Sequence, residues 1–140
     1  MDFVLSAPRA SLARRTRIAS AALLALLLAA AGPARADDAI ARGAELYASH
    51  CAECHSVRPG KDKKGPSLYA VVGAHAARSP SFVYSDAMRA SGIVWNEADL
   101  DAYLEAPARR VPGGKMKFDG LPDAAERAAL IRYLGTLKEK

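Results

Sequence analysis

Beyond Cys51 and Cys54 the 140-residue chain has no cysteine, so it has no second knuckle with which to complete a structural zinc site, which takes four ligands. It also has no apolar run long enough to span a bilayer. The longest, Ile18 to Ala31, holds 14 residues and reaches about 21 Å as a helix, against a hydrocarbon core of about 30 Å. Segments that alternate as strands are scarce, which argues against a sheet-based scaffold. Charge of one sign is in short supply too, once the N-terminus is set aside.

That N-terminus reads as an address. Arg9, Arg14, Arg15 and Arg17 lead into "IASAALLALLLAAAG", and Ala34-Arg35-Ala36 supplies the small-x-small pattern of a signal-peptidase site. A secretory signal over 1–36, cleaved after Ala36, is expected, with general secretion preferred because the residues after Arg14-Arg15 continue a twin-arginine signal poorly. The whole sequence has 20 basic and 15 acidic residues. Positions 1–36 hold five of the bases and the acid Asp2, leaving 15 bases and 14 acids in 37–140. A mature net charge of +1 excludes a nucleic-acid binder of the usual basic kind. What remains is a single domain, 37–140, of common size.

Helical signals dominate that domain. "IARGAELYASH" places Ile40, Gly43, Ala44 and Tyr47 on one face. "SDAMRASG" has a serine cap and a glycine stop at Gly92. "NEADLDAYLEAP" begins at Asn96, aligns Leu100, Tyr103 and Leu104, and ends at Pro107. In "PDAAERAALIRYLGTLKEK" Pro122 is expected in the first turn, with Leu130, Tyr133, Leu134 and Leu137 as the apolar face. The fold class is therefore all-α, with about four helices. Two connections, 56–84 and 106–121, are long and rich in Gly, Pro and charge. Loops of that length in a compact domain need a reason, and a large apolar cofactor at the centre is one.

The stretch "CAECH" supplies the candidate. A thioredoxin-like dithiol depends on a βαβ context, and the residues before Cys51 read as helix. Zinc would draw on Cys51, Cys54 and His55, with His50 or His75 as a fourth ligand. Covalent haem fits each residue: two thiols for the two vinyl groups of the ring, and the adjacent imidazole for the iron. In an exported protein the pattern C-x-x-C-H points to c-type haem. Candidates for the sixth iron position are Met88, Met116, His50 and His75. Met116 stands out, because "RRVPGGKMKFDG" is a polar loop where core filler is out of place, and a soft thioether favours ferrous iron.

The runs "CAECH", "GPSL", "FVYSDA", "GIVW", "YLEAP" and "VPGGKMKF" occur in an order and spacing that resemble a class I cytochrome c of the mitochondrial and bacterial c2 type, from Gly43 to the C-terminus. The resemblance implies one haem c wrapped by helices and long loops, thioether links at Cys51 and Cys54, proximal His55 and distal Met116. It implies that the Pro66 carbonyl accepts a hydrogen bond from His55, that Tyr84 and Trp95 bond a haem propionate, and that Tyr103 lies beside the methionine sulfur. Phe118 matches the aromatic that screens the haem edge, and Gly43, Tyr47, Leu130 and Tyr133 match a crossing of the first and last helices.

Three positions depart from the family pattern. Ala74 replaces an arginine near the propionates, Met88 a pocket asparagine, and Gly114 a threonine before "KM". Each removes a polar partner, with Arg78 or His75 placed to compensate, and Met88 adds a second thioether near the iron. His50, where the family often has a lysine, and His75 are expected on the surface.

With both axial positions filled, the implied function is passage of single electrons. Residues 106–118 carry Arg109, Arg110, Lys115 and Lys117 without an acid, whereas 96–105 carry Glu97, Asp99, Asp101 and Glu105 without a base. Such a dipole would steer docking onto acidic sites of membrane redox complexes or dehydrogenases, with Lys61, Lys63 and Lys64 extending the basic edge. The expectation is a soluble, monomeric periplasmic carrier between a quinol-oxidising complex or dehydrogenase and a terminal oxidase, reductase or photosynthetic centre. The alternatives are a haem peroxidase or ligand-binding protein with a labile Met116, and the dedicated electron-accepting subunit of one dehydrogenase.

Overall fold

A computed structural model of the protein describes residues 34–138. Apart from its last three residues, the expected signal segment lies outside the described residues. Five helices follow in order: α1 Ala34–His50, α2 Asp86–Ala90, α3 Glu97–Glu105, α4 Pro107–Arg110 and α5 Ala124–Thr136. Among the described residues the only β-pairing is an isolated bridge between His75 and Val94.

Local sequence explains the helix ends. The Ser85 side chain accepts from Met88 N at the start of α2, Asn96 accepts from Asp99 N at α3, and Asp123 accepts from Ala125 N and Glu126 N at α5. Each satisfies a backbone donor that an N-terminal turn leaves open. Asp123 is thus the cap of α5 and Pro122 precedes it, one position outside the first turn expected for it. Helix α1 begins six residues earlier than the apolar spacing suggests, with Asp37 in its first turn facing the positive end of the helix dipole. The one-turn α4 falls in what reads as loop, and Pro107 opens it at the position where a missing N–H costs nothing.

Helices α1 and α5 cross at Gly43. A Cβ there would lie 2.2 Å from the Ala129 carbonyl oxygen and 2.6 Å from Tyr133 Cβ, so only glycine lets the two backbones come this close. The Tyr47 and Tyr133 rings flank the crossing with centroids 5.8 Å apart. The deep residue of α1 is Leu46, three positions after Gly43, whereas Ile40 and Ala44 are only half-buried. From α5, Ala129, Leu130, Ile131 and Leu134 join Leu46, Ile93, Trp95, Leu100, Leu104, Val111 and Leu121 in one core.

Backbone bonds tie the long connections to that core. Gly73 N donates to Trp95 O, Trp95 N to Ala74 O and Ala76 N to Ile93 O, all at 2.8 Å. The second connection is anchored by Leu121 N donating to Leu104 O at 2.8 Å. Buried Arg127 closes the same corner: it donates to the Asp101 carboxylate at 2.7 Å and to the carbonyls of Leu121 and Pro122 at 2.9 and 2.8 Å. A charge with that many partners is tolerated inside a core.

Candidate functional site

The C-terminal turn of α1 runs directly into the cysteine pair. Cys51 N and Ala52 N both donate to Tyr47 O at 2.9 Å, and Cys54 N and His55 N donate to Cys51 O at 3.0 and 2.8 Å. Cys51, Cys54 and His55 therefore share one tight turn, and the Tyr47 hydroxyl fixes its end by donating to His55 O at 2.8 Å. No disulfide joins Cys51 to Cys54. Burial, reinforced by the neighbouring Cys54, pushes the Cys51 thiol up to about 11, whereas dithiol redox sites need a lowered thiol pKa. Among the described residues no group of three or more His, Cys, Asp and Glu side chains could hold a metal ion, so the zinc alternative finds no ligand set there.

His55 is set in one state by its surroundings. Its Nδ1 lies 2.7 Å from the Pro66 carbonyl oxygen. A carbonyl only accepts, so Nδ1 carries the proton and Nε2 keeps its lone pair. Burial depresses the imidazole pKa, opposed by the Pro66 bond and reinforced by Lys63. A neutral ring with an oriented Nε2 is the form that binds iron, and the carbonyl behind it raises its basicity as a ligand. Gly65 makes this possible, since a Cβ there would lie 2.3 Å from His55 Cε1. The backbone of 65–66 can lie flat against the ring only without a side chain.

His55 opens into a cavity of about 500 Å³, within the range of small-molecule and cofactor sites. Every expected cofactor-binding residue lines it: Cys51, Cys54, His55, Pro66, Tyr84, Trp95, Tyr103, Met116 and Phe118. Leu68, Val71, Leu100, Leu104, Leu130 and Leu134 make the rest of the lining largely apolar. The Tyr103 hydroxyl points at Met116 Sδ across 3.9 Å, a weak hydrogen bond to sulfur, and the Trp95 and Tyr103 rings pack with centroids 4.9 Å apart. Phe118 sits against exposed His50, centroids 6.3 Å apart.

Two observations test whether haem fits. Trp95 is 8% exposed, and its indole N–H meets no protein acceptor among the described residues. Since no buried polar side-chain atom is sealed without a partner, that N–H is not closed off, and Trp95 itself lines the cavity. The Tyr84 hydroxyl accepts from Ser79 N at 3.3 Å, which leaves its own proton to donate. Two residues with donors to spare, lining a largely apolar cavity, suit a flat apolar ring with carboxylates at its edge, and the residues fit haem c.

The departing residues divide. Met88 lines the cavity, while Ala74 takes part in the bridge to Trp95 and lies outside the lining. His75 and Arg78 line the cavity mouth, although Arg78 also donates to the Tyr69 carbonyl. Gly114 borders a separate space of about 40 Å³ behind Met116, with Tyr103, Pro107 and Gly113.

The basic edge is less free than the charge runs suggest. Arg109 pairs with Glu105 at 2.6 Å, Arg110 with Asp99 at 2.5 Å and Lys64 with Glu53 at 2.5 Å. Folding brings the acidic run of α3 beside the basic run of α4, so the two partly cancel instead of forming opposite poles. Lys63 donates to Ala52 O at 2.5 Å. Lys61, Lys115 and Lys117 make no ion pair among the described residues, and Lys115 and Lys117 border the cavity.

Sequence reasoning missed Gly65 and the Tyr47–His55 bond as parts of the site. A glycine directly before Pro66 was the available signal for the first; nothing in the spacing signals the second.

Fold and site together define an all-α haem protein whose cofactor is held through a C-x-x-C-H turn. The family model described as Cytochrome c matches residues 40–138. Cytochrome c2 of Rhodopila globiformis is 47% identical over 96 residues, covering 69% of this chain and 91% of the relative. Cytochrome c of Euglena viridis is 39% identical over 98 residues, covering 70% and 96%. Among solved structures, cytochrome cH from Methylobacterium extorquens superposes with a TM-score of 0.65 at 39% identity, covering 69% of this chain and 96% of that one. The chain belongs to the cytochrome c family: it is an electron-transfer protein of the class I, c2-like type, and it carries haem c bound through Cys51 and Cys54.

Proposed function

We propose that the protein is a single-haem carrier working in the periplasm, with His55 and Met116 as the axial ligands. In this reading it moves electrons from a quinol-oxidising complex or dehydrogenase to a terminal oxidase, reductase or photosynthetic centre. The observation that carries it is the His55–Pro66 bond at 2.7 Å, which readies Nε2, in the same cavity that Met116 lines beside Tyr103. Bound haem supplies a one-electron ferric/ferrous couple. The protein's own residues hold the imidazole neutral, keep water from the apolar walls, and present Lys115 and Lys117 at the rim.

Export supports the compartment. The basic, then apolar, then small-residue pattern of 1–36 is what secretion reads, with cleavage after Ala36, and no described helix is long and apolar enough to cross a membrane. The mature protein is then a soluble monomer that docks transiently on acidic faces of membrane complexes or dehydrogenases. The labile-methionine reading draws on the space of about 40 Å³ behind Met116, which gives its loop somewhere to move.

The test is the visible spectrum of the protein exported with a cytochrome-maturation system, oxidised and reduced. A far-red band from methionine sulfur on ferric haem, persistent at neutral pH, is expected. Covalent haem without that band would remove Met116 as a ligand and send the question to carbon monoxide binding and peroxide turnover.

A further inference from the structure

Asp62 is a carboxylate without a cation. Among the described residues it makes no ion pair, yet both of its oxygens are engaged: Oδ1 accepts from Ser67 N at 2.8 Å, and Oδ2 accepts from Ser79 Oγ at 2.9 Å and Ser81 Oγ at 2.7 Å. These donors come from two segments that no other hydrogen bond joins directly. One is 62–67, whose next-to-last residue, Pro66, holds His55. The other is the 79–81 turn, whose Ser79 backbone N–H donates to the Tyr84 hydroxyl at 3.3 Å. Carboxylate, Ser79 and phenol therefore form a relay that ends at a residue lining the cavity. Phe82 packs on the Tyr84 ring edge-on, centroids 4.9 Å apart, and limits its tilt.

The orientation matters chemically. A phenol oxygen has one proton to give, and the partner it accepts from helps set where that proton points. With Ser79 N–H on the oxygen, the Tyr84 proton is offered to an acceptor in the cavity. We propose that Asp62 is a positioning residue for Tyr84: by tying the 79–81 turn to the 62–67 segment, it aims the phenol at a carboxylate of the bound cofactor. This rests on the reading that Tyr84 bonds a haem propionate. Besides Asp62 the charged groups at the relay are Arg78 and Arg89, the latter donating to the Tyr84 carbonyl at 2.6 Å. Tyr84 feels Asp62 and Arg78, and Lys61 and Lys63 flank Asp62 in sequence. The three hydrogen bonds hold the carboxyl below its ordinary range, so it stays ionised at neutral pH.

A positioning role and a bare charge predict opposite signs. A hydrogen bond from Tyr84 favours the ionised propionate, so losing it raises the propionate pKa. Losing a nearby negative charge lowers that pKa. The experiment measures reduction potential against pH for the haem-loaded protein and for Tyr84→Phe, Asp62→Ala, Ser79→Ala/Ser81→Ala and Asp62→Ala/Tyr84→Phe, together with exchange of the Ser79 amide proton. Expected is an inflection moved to higher pH in Tyr84→Phe, in Asp62→Ala and in the double-serine variant. Asp62→Ala should add nothing to Tyr84→Phe, and its Ser79 amide should exchange at least about tenfold faster, as for loss of one or more good hydrogen bonds.

A shift to lower pH in Asp62→Ala, full additivity with Tyr84→Phe, or an unmoved double-serine variant overturns the positioning role while leaving the Tyr84 reading intact. An unmoved inflection in Tyr84→Phe overturns the reading of Tyr84 itself, and the proposal with it. The double-serine variant keeps the charge and removes only two hydroxyls, so the proposal stays testable if Asp62→Ala fails to fold.

Discussion

At the scale of single residues the site depends on atoms that are absent as much as on those present. Gly65→Ala would drive a methyl to 2.3 Å from His55 Cε1, and the ring cannot yield without losing its 2.7 Å bond to Pro66. The expected cost is about 1–3 kcal/mol of stability, as for overpacking, with a fall in properly ligated haem; denaturant titration and the visible spectrum read the two separately. Tyr103→Phe is the opposite kind of change, since it deletes one hydroxyl 3.9 Å from Met116 Sδ. With Met116 on the iron as proposed, loss of that donor leaves the sulfur giving more electron density to the ferric state, so the reduction potential falls, by an amount matching a weak hydrogen bond of about 0.5–1 kcal/mol. A potentiometric titration checks the sign. Of this layer, the haem attachment was legible in the sequence because Cys51, Cys54 and His55 sit together in one motif. Asp62 and Tyr47 were not, because a hydrogen bond from an ordinary polar residue to a distant backbone leaves no pattern.

Elements were legible where capping and periodicity agreed, as at Ser85 and Asn96, and less so where a loop is organised by something outside itself. Connection 106–121 contains the one-turn α4, and its far end is held by Arg127 from α5, which the helical spacing does not single out. Arg127 is 6% exposed and its guanidinium engages Asp101, Leu121 and Pro122. Arg127→Leu strands the Leu121 and Pro122 carbonyls, while Asp101, half-exposed, turns to water; losing donors to such carbonyls costs about 1–3 kcal/mol. Because Leu121 ends the segment that carries Met116, the same variant should lose its far-red ferric band at a lower temperature than its helical signal. Simultaneous loss of both on heating would show that Arg127 serves the fold as a whole and not the methionine loop.

For the whole molecule, the order of the charge runs along the sequence is not their arrangement in space. Sequence order separates the acids of 96–105 from the bases of 106–118, but α3 and α4 lie side by side and pair Arg109 with Glu105 and Arg110 with Asp99. Docking onto an acidic partner should therefore depend on Lys115 and Lys117. Reversing either to Glu is expected to slow association severalfold or more at low salt, with the difference shrinking as salt rises. Arg109→Ala and Arg110→Ala should change the rate by less than about twofold, because each cation already has a counter-charge. Stopped-flow electron transfer against an acidic redox partner across ionic strength distinguishes the two pairs of variants.

The crossing at Gly43 also sets a schedule. Arg42 on α1 reaches Glu126 on α5 at 2.6 Å, 84 residues further along the sequence, and Gly43 packs on Ala129 and Tyr133. Contacts that distant close late, and they cannot begin until the C-terminal helix has been synthesised. While the polypeptide is emerging, the cysteine turn at the end of α1 lacks its packing partner and stays open to attack. On the proposed export route the same geometry keeps the chain open until α5 has followed α1 out of the cell interior, so both thiols can be reached before the crossing forms.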